Sequence, residues 1–330
     1  ITQEHENFDM IEDLEILESK NRDFGELQKY LKTSNLLGNL VDKLIKPGKT
    51  REELFKSTIE YFLNSDSKNA ETHYTYYGRT KSKVLFYYIL DKIRTKNRES
   101  FINKNLKTDL SLPENFVFFP LHAEIERTLL ITAPFYMNQI EAIKVIAKSI
   151  PINYKLVVKE HPFQVARAWR SASDYKEIMN IPNVILVHPT FSNEELYKNC
   201  SLLVTIAGTG GFEATFYGKP VITFVNLNYS ILPSVTTLKN FHELPALIRK
   251  SLEKKVNPSD LDRFLSLLEK NSSEFNYADF AAKFDTEFFY GGRLVDAEIS
   301  EAKMKSFLEE NSSILNNLAD EHISKMNWFK

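Results

Sequence analysis

From Ser111 onward, short apolar runs alternate with longer stretches patterned at helical spacing. Phe116-Val117-Phe118-Phe119 ends at Pro120, and Ile140, Ile143, Ile146 and Ile150 then share one face of a helix. Leu156-Val157-Val158, Val184 to Val187, Leu202 to Ile206 and Val221 to Phe224 follow, separated by stretches such as Gln164 to Met179 that have helical length. Runs that are apolar at every position predict strands covered on both faces. The pattern therefore predicts an α/β fold, a Rossmann-like parallel sheet with helices on both sides. Ligands of such sheets sit beyond the carboxyl ends of the strands.

The flanks read differently. Residues 1–110 predict a mainly helical segment: Leu36, Leu37, Leu40, Val41, Leu44 and Ile45 form one apolar stripe, and Phe55, Ile59, Phe62 and Leu63 a second. Val84 to Leu90 is apolar nearly all round, which predicts a buried helix. Residues 111–255 form the sheet-bearing segment, and 256–330 a helical tail after Leu244, Leu247, Ile248 and Leu252.

Composition narrows the class. The chain has 330 residues, 43% of them hydrophobic and 26% charged, which excludes wholesale disorder. Lys and Arg total 42 against 44 for Asp and Glu, a net charge of −2 that gives no electrostatic reason to expect nucleic acid as a partner. The one cysteine, Cys200, forms neither an internal disulfide nor a thiolate metal cage, and fits a reducing, cytoplasmic setting. No apolar run has the roughly 20 residues of a membrane-spanning helix, and there is no signal-peptide pattern. The sequence opens Ile1-Thr2-Gln3-Glu4 without Met, which raises the expectation of a piece of a longer protein.

Glycine is the sharpest signal. Of 10 glycines, Gly208, Gly210, Gly211 and Gly218 fall within 11 residues, after a long stretch with none. The segment Thr205 to Ala214 follows an apolar run and opens a helix, and Gly218-Lys219-Pro220 closes it. Amides at a helix start attract a phosphate, Thr209 adds a hydroxyl, and Glu213 on the first turn suits a ribose hydroxyl. A tight turn with close helix–strand packing accounts for the same residues. The pattern is neither a P-loop nor GxGxxG, which disfavours ATP and NAD.

Two further clusters end strands on the same predicted edge. Lys159-Glu160-His161-Pro162 offers an imidazole for charge developing on a leaving group, or a histidine that merely caps the strand. Pro120-Leu121-His122 with Glu124, Glu126, Arg127 and Thr128 offers acid–base groups and an anion contact, or a loop with a Glu126–Arg127 ion pair. Its spacing matches no strong metal motif. His188-Pro189 repeats the dipeptide without flanking charge and reads as structural. Tyr74, Tyr76 and Tyr77 are weak candidates for a sugar site, and Arg167 and Arg170 read as a solvated helix face.

In this order the motifs resemble the capsule polysaccharide biosynthesis family, bacterial transferases that include Kdo-handling members. The resemblance rests on Pro120-Leu121-His122, Glu126-Arg127-Thr128, Gln139 leading a helix, Lys159 to Pro162, the Gly208, Gly211, Glu213 and Ala214 loop, and Gly218 to Val221. It spans roughly residues 114–250, and Ala123-Glu124-Ile125 departs from the Tyr-Gln-Pro expected there. It implies a GT-B glycosyltransferase that transfers a sugar from a nucleotide-sugar donor to a glycan or glycolipid acceptor. A CMP-linked acidic sugar such as Kdo is among the implied donors, and no metal or other cofactor is expected. By that resemblance His161, His122 and Glu126 are catalytic, while Lys159, Arg127, Gly208, Thr209, Gly210, Gly211 and Glu213 hold the donor. Residues 111–255 become the nucleotide-sugar-binding domain, and 1–110 a remnant or replacement of the acceptor-side domain. Capsule-assembly partners and a peripheral place at the inner membrane face accompany that reading. A sugar-nucleotide 2-epimerase of the same fold, and a non-catalytic assembly partner that kept the donor fold, are the alternatives. Only Glu213 stands where the epimerases carry paired glutamates.

Overall fold

The structure is a computed structural model that describes residues 19–33, 81–106, 108, 111–124, 128–162, 164, 170–272, 275–288 and 299–326. The chain divides into two compact units, one of residues 1–37 and 93–270 and the other of 38–92 and 271–330. The stripes beginning at Leu36 and Phe55 and the tyrosines 74, 76 and 77 lie outside the described residues.

Helix α1 spans Phe24–Thr33, and α2, Lys81–Asn105, runs across the division between the units. The first unit then builds strand β1 (Phe116–Pro120), helix α3 (Gln139–Ser149), β2 (Lys155–Lys159), α4 (Ala172–Met179), β3 (Val184–Val187) and α5 (Asn193–Asn199). It continues with β4 (Leu202–Thr205), α6 (Thr209–Thr215), β5 (Val221–Thr223), β6 (Val235–Thr237), α7 (Leu244–Leu252) and α8 (Pro258–Asn271). The strands form one sheet in the order β3-β2-β1-β4-β5-β6, parallel at every pairing.

Alternation along each strand sends side chains to two cores. Val117, Phe119, Leu156, Val158, Leu202, Val204 and Ile222 pack on one face with Ile143 and Ile146 of α3, Tyr175 and Ile178 of α4, and Leu244 and Ile248 of α7. Phe116, Phe118, Val157, Val187, Leu203 and Val221 pack on the other with Leu27 of α1, Leu196 of α5, Phe216, and Leu261, Phe264 and Leu265 of α8. The connections β1-α3-β2-α4-β3 and β3-α5-β4-α6-β5 thus cover opposite faces, as right-handed crossovers require when the winding reverses. The reversal leaves a switch point between β1 and β4, where a doubly wound sheet opens its ligand crevice.

Two expectations are corrected. The Gln164 to Met179 interval is not one helix, because Ser171 is the extended N-cap of α4 and exchanges a capping box with Asp174. Val84 to Leu90 is helical within α2, yet Phe86, Tyr87, Tyr88 and Ile89 are 45–59% exposed. Consecutive helix residues point about 100° apart, so no single packing face buries all four.

In the second unit α9 (Tyr277–Phe288), α10 (Glu301–Glu310) and α11 (Ser312–Met326) follow. Phe280, Phe284 and Phe288 of α9 pack edge-on around Phe307 of α10, at centroid distances of 5.8, 5.6 and 5.0 Å. No described helix is long and apolar enough to cross a membrane.

Candidate active site

Because β1, β2 and β4 are parallel neighbours, the turns that leave them open onto one edge. His122, His161 and the Gly208 to Gly211 loop come together there. Glu126 and Arg127 lie outside the described residues.

His122 sits at the switch point, 5% exposed. Its Nε2 accepts the Ala207 amide at 3.1 Å, so the proton resides on Nδ1, which bonds the Pro120 carbonyl. Burial, with the nearby charges of His161 and Arg170, holds its pKa down at about 4. Its own amide donates to Gln139 Oε1 at 2.8 Å, and Gln139 Nε2 donates back to the His122 carbonyl at 3.1 Å. A neutral imidazole spent on two backbone groups is a strut joining the β1 and β4 turns. The ring's Nε2 is thereby engaged by the Ala207 amide.

The glycine loop is also shaped by its own protein. A Cβ at Gly208 would stand 2.9 Å from Thr205 Oγ1 and 3.3 Å from His122 Cε1, and one at Gly211 would stand 2.4 Å from the Tyr229 hydroxyl. That hydroxyl donates to the Gly208 carbonyl at 2.5 Å. The Gly208 amide donates to Thr205 Oγ1 at 3.1 Å, and the Gly211 amide to the Gly208 carbonyl at 3.2 Å. The missing side chains make room for His122 and Tyr229, which lets the β4 turn seat tightly against the β1 turn. Gly218 serves the loop's far end, with φ +67° after α6 and a Phe24 ring 3.0 Å from where its Cβ would be.

Behind the loop, Lys159 and Glu213 face each other. Lys159 is 4% exposed and its Nζ donates to Asn193 Oδ1 on α5. Burial lowers its pKa to about 8 against the pull of Glu213. Burial raises Glu213, offset by the Tyr197 hydroxyl and by Lys159. Their charges therefore compensate each other beneath the edge.

The largest departure from expectation is Arg170. It was expected on a solvated face, but it is 3% exposed. Its Nε donates to Glu160 Oε2 at 2.7 Å, its Nη2 to the His122 carbonyl at 2.5 Å, and its Nη1 to Glu124. Glu160, fully buried, also accepts the Tyr175 hydroxyl and the His161 amide, each at 2.7 Å. Gln164 ties the two turns again by accepting the Glu124 amide at 2.9 Å. Arg167 lies outside the described residues. The acidic residue inside Lys-Glu-His-Pro was the available signal, because a carboxylate between a strand and a His-Pro turn needs a cation when buried.

His188, after β3, is structural as expected. Its Nδ1 accepts the Thr190 amide at 3.2 Å, and Nε2 lies 3.0 Å from Asn103 Oδ1 on α2.

A doubly wound parallel sheet whose switch point gathers two histidine turns and a glycine loop defines a Rossmann-like α/β protein. The family described as capsule polysaccharide biosynthesis protein matches residues 46–267, and the chain belongs to it. Among solved structures it is similar to the KpsC beta Kdo 2,7 transferase of Thermosulfurimonas dismutans, with 16% identity, TM-score 0.34, and coverage of 69% of this chain and 60% of that one. It is similar to the UDP-GlcNAc 2-epimerase of Methanocaldococcus jannaschii, with 17% identity, TM-score 0.35, and coverage of 53% and 50%. A third is Anabaena HepE in complex with UDP and glucose, with 16% identity, TM-score 0.31, and coverage of 48% and 44%. The chain thus spans between two fifths and two thirds of the length of these proteins. No curated protein matches the sequence.

Proposed function

We propose that this chain carries the donor-binding domain of a GT-B glycosyltransferase that works without a metal. The reaction moves a sugar from a nucleotide-sugar, a CMP-linked acidic sugar being the first candidate, to a glycan or glycolipid acceptor of surface polysaccharide synthesis. The observation that carries this reading is the interlocking of the His122, His161 and Gly208 turns at the switch point of a parallel sheet, in a chain of the capsule family.

In this reading the donor phosphate lies over the Gly208 to Gly211 loop, with Thr209 as an added hydroxyl donor and Glu213 toward the ribose. His161 faces the leaving phosphate and stabilises charge as the glycosidic bond breaks. His122 keeps the two turns in register from behind. By the family resemblance Glu126 and Arg127, which follow His122 in the sequence, would approach the sugar. The setting is the cytoplasm, at the inner membrane face when the acceptor is a glycolipid.

The test is a thermal-shift and calorimetric screen against CMP-, CDP-, UDP- and GDP-sugars in the presence of a chelator. A ligand that binds the native state alone raises its melting temperature, by about 2.7 kcal/mol of stability at a hundred times Kd. Stabilisation by one nucleotide class with chelator present is expected, and no shift with any of them rejects the reading. Nucleotide release that requires acceptor marks a transferase. Sugar interconversion without acceptor marks an epimerase, and binding without turnover an assembly partner.

A further inference from the structure

We propose that Arg170 is a positioning residue that holds the turns after β1 and β2 in fixed register and so sets where His161 and the Gly208 loop meet a ligand. The proposal rests on the reading of that edge as a donor site. One guanidinium reaches both turns: the His122 carbonyl and Glu124 on the first, and Glu160 on the second. Glu160 passes the constraint on, because its other oxygen accepts the His161 amide at 2.7 Å. The path from the β1 turn to the His161 backbone is therefore one cation and one carboxylate long.

Energetics favour position over stability as the reason for this pair. The Arg170 and Glu160 side chains are 1% and 0% exposed. Desolvating two such charges consumes most of what their attraction returns, and an apolar pair of equal volume often does as well. What an apolar pair lacks is direction. A planar fork of five donors fixes three acceptors at set angles, whereas an ammonium is a point charge that leaves the fork unfilled.

The experiment compares Arg170→Lys with Tyr175→Phe. The second variant removes a buried bond to the same Glu160 oxygen but leaves every Arg170 bond to the two turns in place. Hydrogen exchange is followed at amides 121–124, 160, 161 and 164, with β4 as reference. Arg170→Lys should accelerate exchange at both turns at least tenfold and leave β4 unchanged, while Tyr175→Phe leaves the turns within threefold. Uniform acceleration across the sheet, or none at the turns, overturns the proposal. Titration of CMP- and UDP-sugars then reads the consequence. Kd should rise at least tenfold in Arg170→Lys and less than twofold in Tyr175→Phe, and equal losses in both would make Arg170 merely structural. If the unaltered chain binds no donor, the donor reading fails by itself and the exchange data still decide the clamp. Should Arg170→Lys fail to fold, Glu124→Gln at the half-exposed end of the clamp gives the same readout. Faster exchange confined to 121–124 supports the clamp, and an unchanged rate there rejects it.

Discussion

Two histidine–proline turns leave adjacent parallel strands of this sheet, and they differ in everything except the dipeptide. His161-Pro162 follows β2, beside the switch point, and its backbone is held by a buried carboxylate that a buried arginine neutralises. His188-Pro189 follows β3, one strand further out, and its ring is spent on Thr190 and on Asn103 of α2. In the first turn the Glu160 carboxylate holds the His161 amide, and the ring stands half-buried at the edge beside the switch point. In the second the protein consumes the ring and leaves the edge alone. The two turns thus differ in their place in the sheet: one is tied by a buried ion pair next to the switch point, the other is braced one strand further out against α2.

The largest effect should separate the two turns outright. A donor aimed at charge that develops during reaction acts mainly in the transition state, so His161→Ala should lower turnover by roughly 10²–10³ with a smaller change in donor Kd. His188→Ala removes bonds to Asn103 and Thr190, both exposed, which should cost about 0.5–1.5 kcal/mol of stability and little turnover. Steady-state kinetics beside denaturant melts of both variants decide the matter. A turnover loss confined to His188→Ala would reverse the comparison.

The next effect is on acid stability and belongs to His122. Its folded pKa of about 4 lies below the ordinary 6.5, with burial first and the charges of His161 and Arg170 adding to it. The unfolded chain therefore takes up the proton first as pH falls. The contribution is complete above pH 6.5 and is lost progressively down to about pH 4, a loss of roughly 3 kcal/mol. His188, also lowered by burial and by Lys159, bends the curve in the same direction. Urea melts from pH 7 to pH 4 should show a steep fall that flattens in His122→Gln. An equal slope in that variant would mean the titrating group lies elsewhere.

Gly211→Ala probes the loop that His122 braces. The new methyl would stand 2.4 Å from the Tyr229 hydroxyl, so the ring must move and its bond to the Gly208 carbonyl is lost. Overpacking and one lost buried bond predict a loss of about 1–3 kcal/mol, and a donor Kd raised about tenfold, which is 1.4 kcal/mol. Calorimetric titration of the folded variant reads the second number. Unchanged affinity would mean the loop's shape does not reach the ligand.

These contrasts also mark where the sequence could be read. Strands β1 to β5 were legible because each is built on a run of consecutive apolar residues, and β3 falls on Val184 to Val187 as expected. Strand β6 was not, since Val235-Thr236-Thr237 has one clearly apolar residue and sits at the sheet edge beside a single neighbour. Glycines and prolines mark turns in sequence, so the three clusters at the edge were legible as places. What each side chain does there was not. The partners of Arg170 lie 10, 46 and 48 residues away, and only the sheet's winding brings them to one point. The commitment of both His122 nitrogens to backbone groups is equally invisible without knowing that β1 pairs with β4.

The smallest effect tests whether the His161 turn depends on the helix that follows it. Ser171 comes directly after Arg170 and caps α4, its hydroxyl accepting the Asp174 amide at 3.2 Å while Asp174 accepts the Ser171 amide at 3.2 Å. Ser171→Ala removes one half of that exchange and frays the first turn, at a cost of about 1 kcal/mol. For a unit of this size that lowers the melting temperature by about 2–4 °C. Arg170 is held by three acceptors that precede the helix in sequence, and Tyr175 lies a full turn inside α4. Fraying at Ser171 should therefore leave the guanidinium in place, and donor affinity should stay within twofold. A fall in affinity larger than the fall in stability would show that the helix start, and not the Glu160–Arg170 pair, holds the His161 turn. The difference between the two histidine turns would then originate in α4 and not at the switch point.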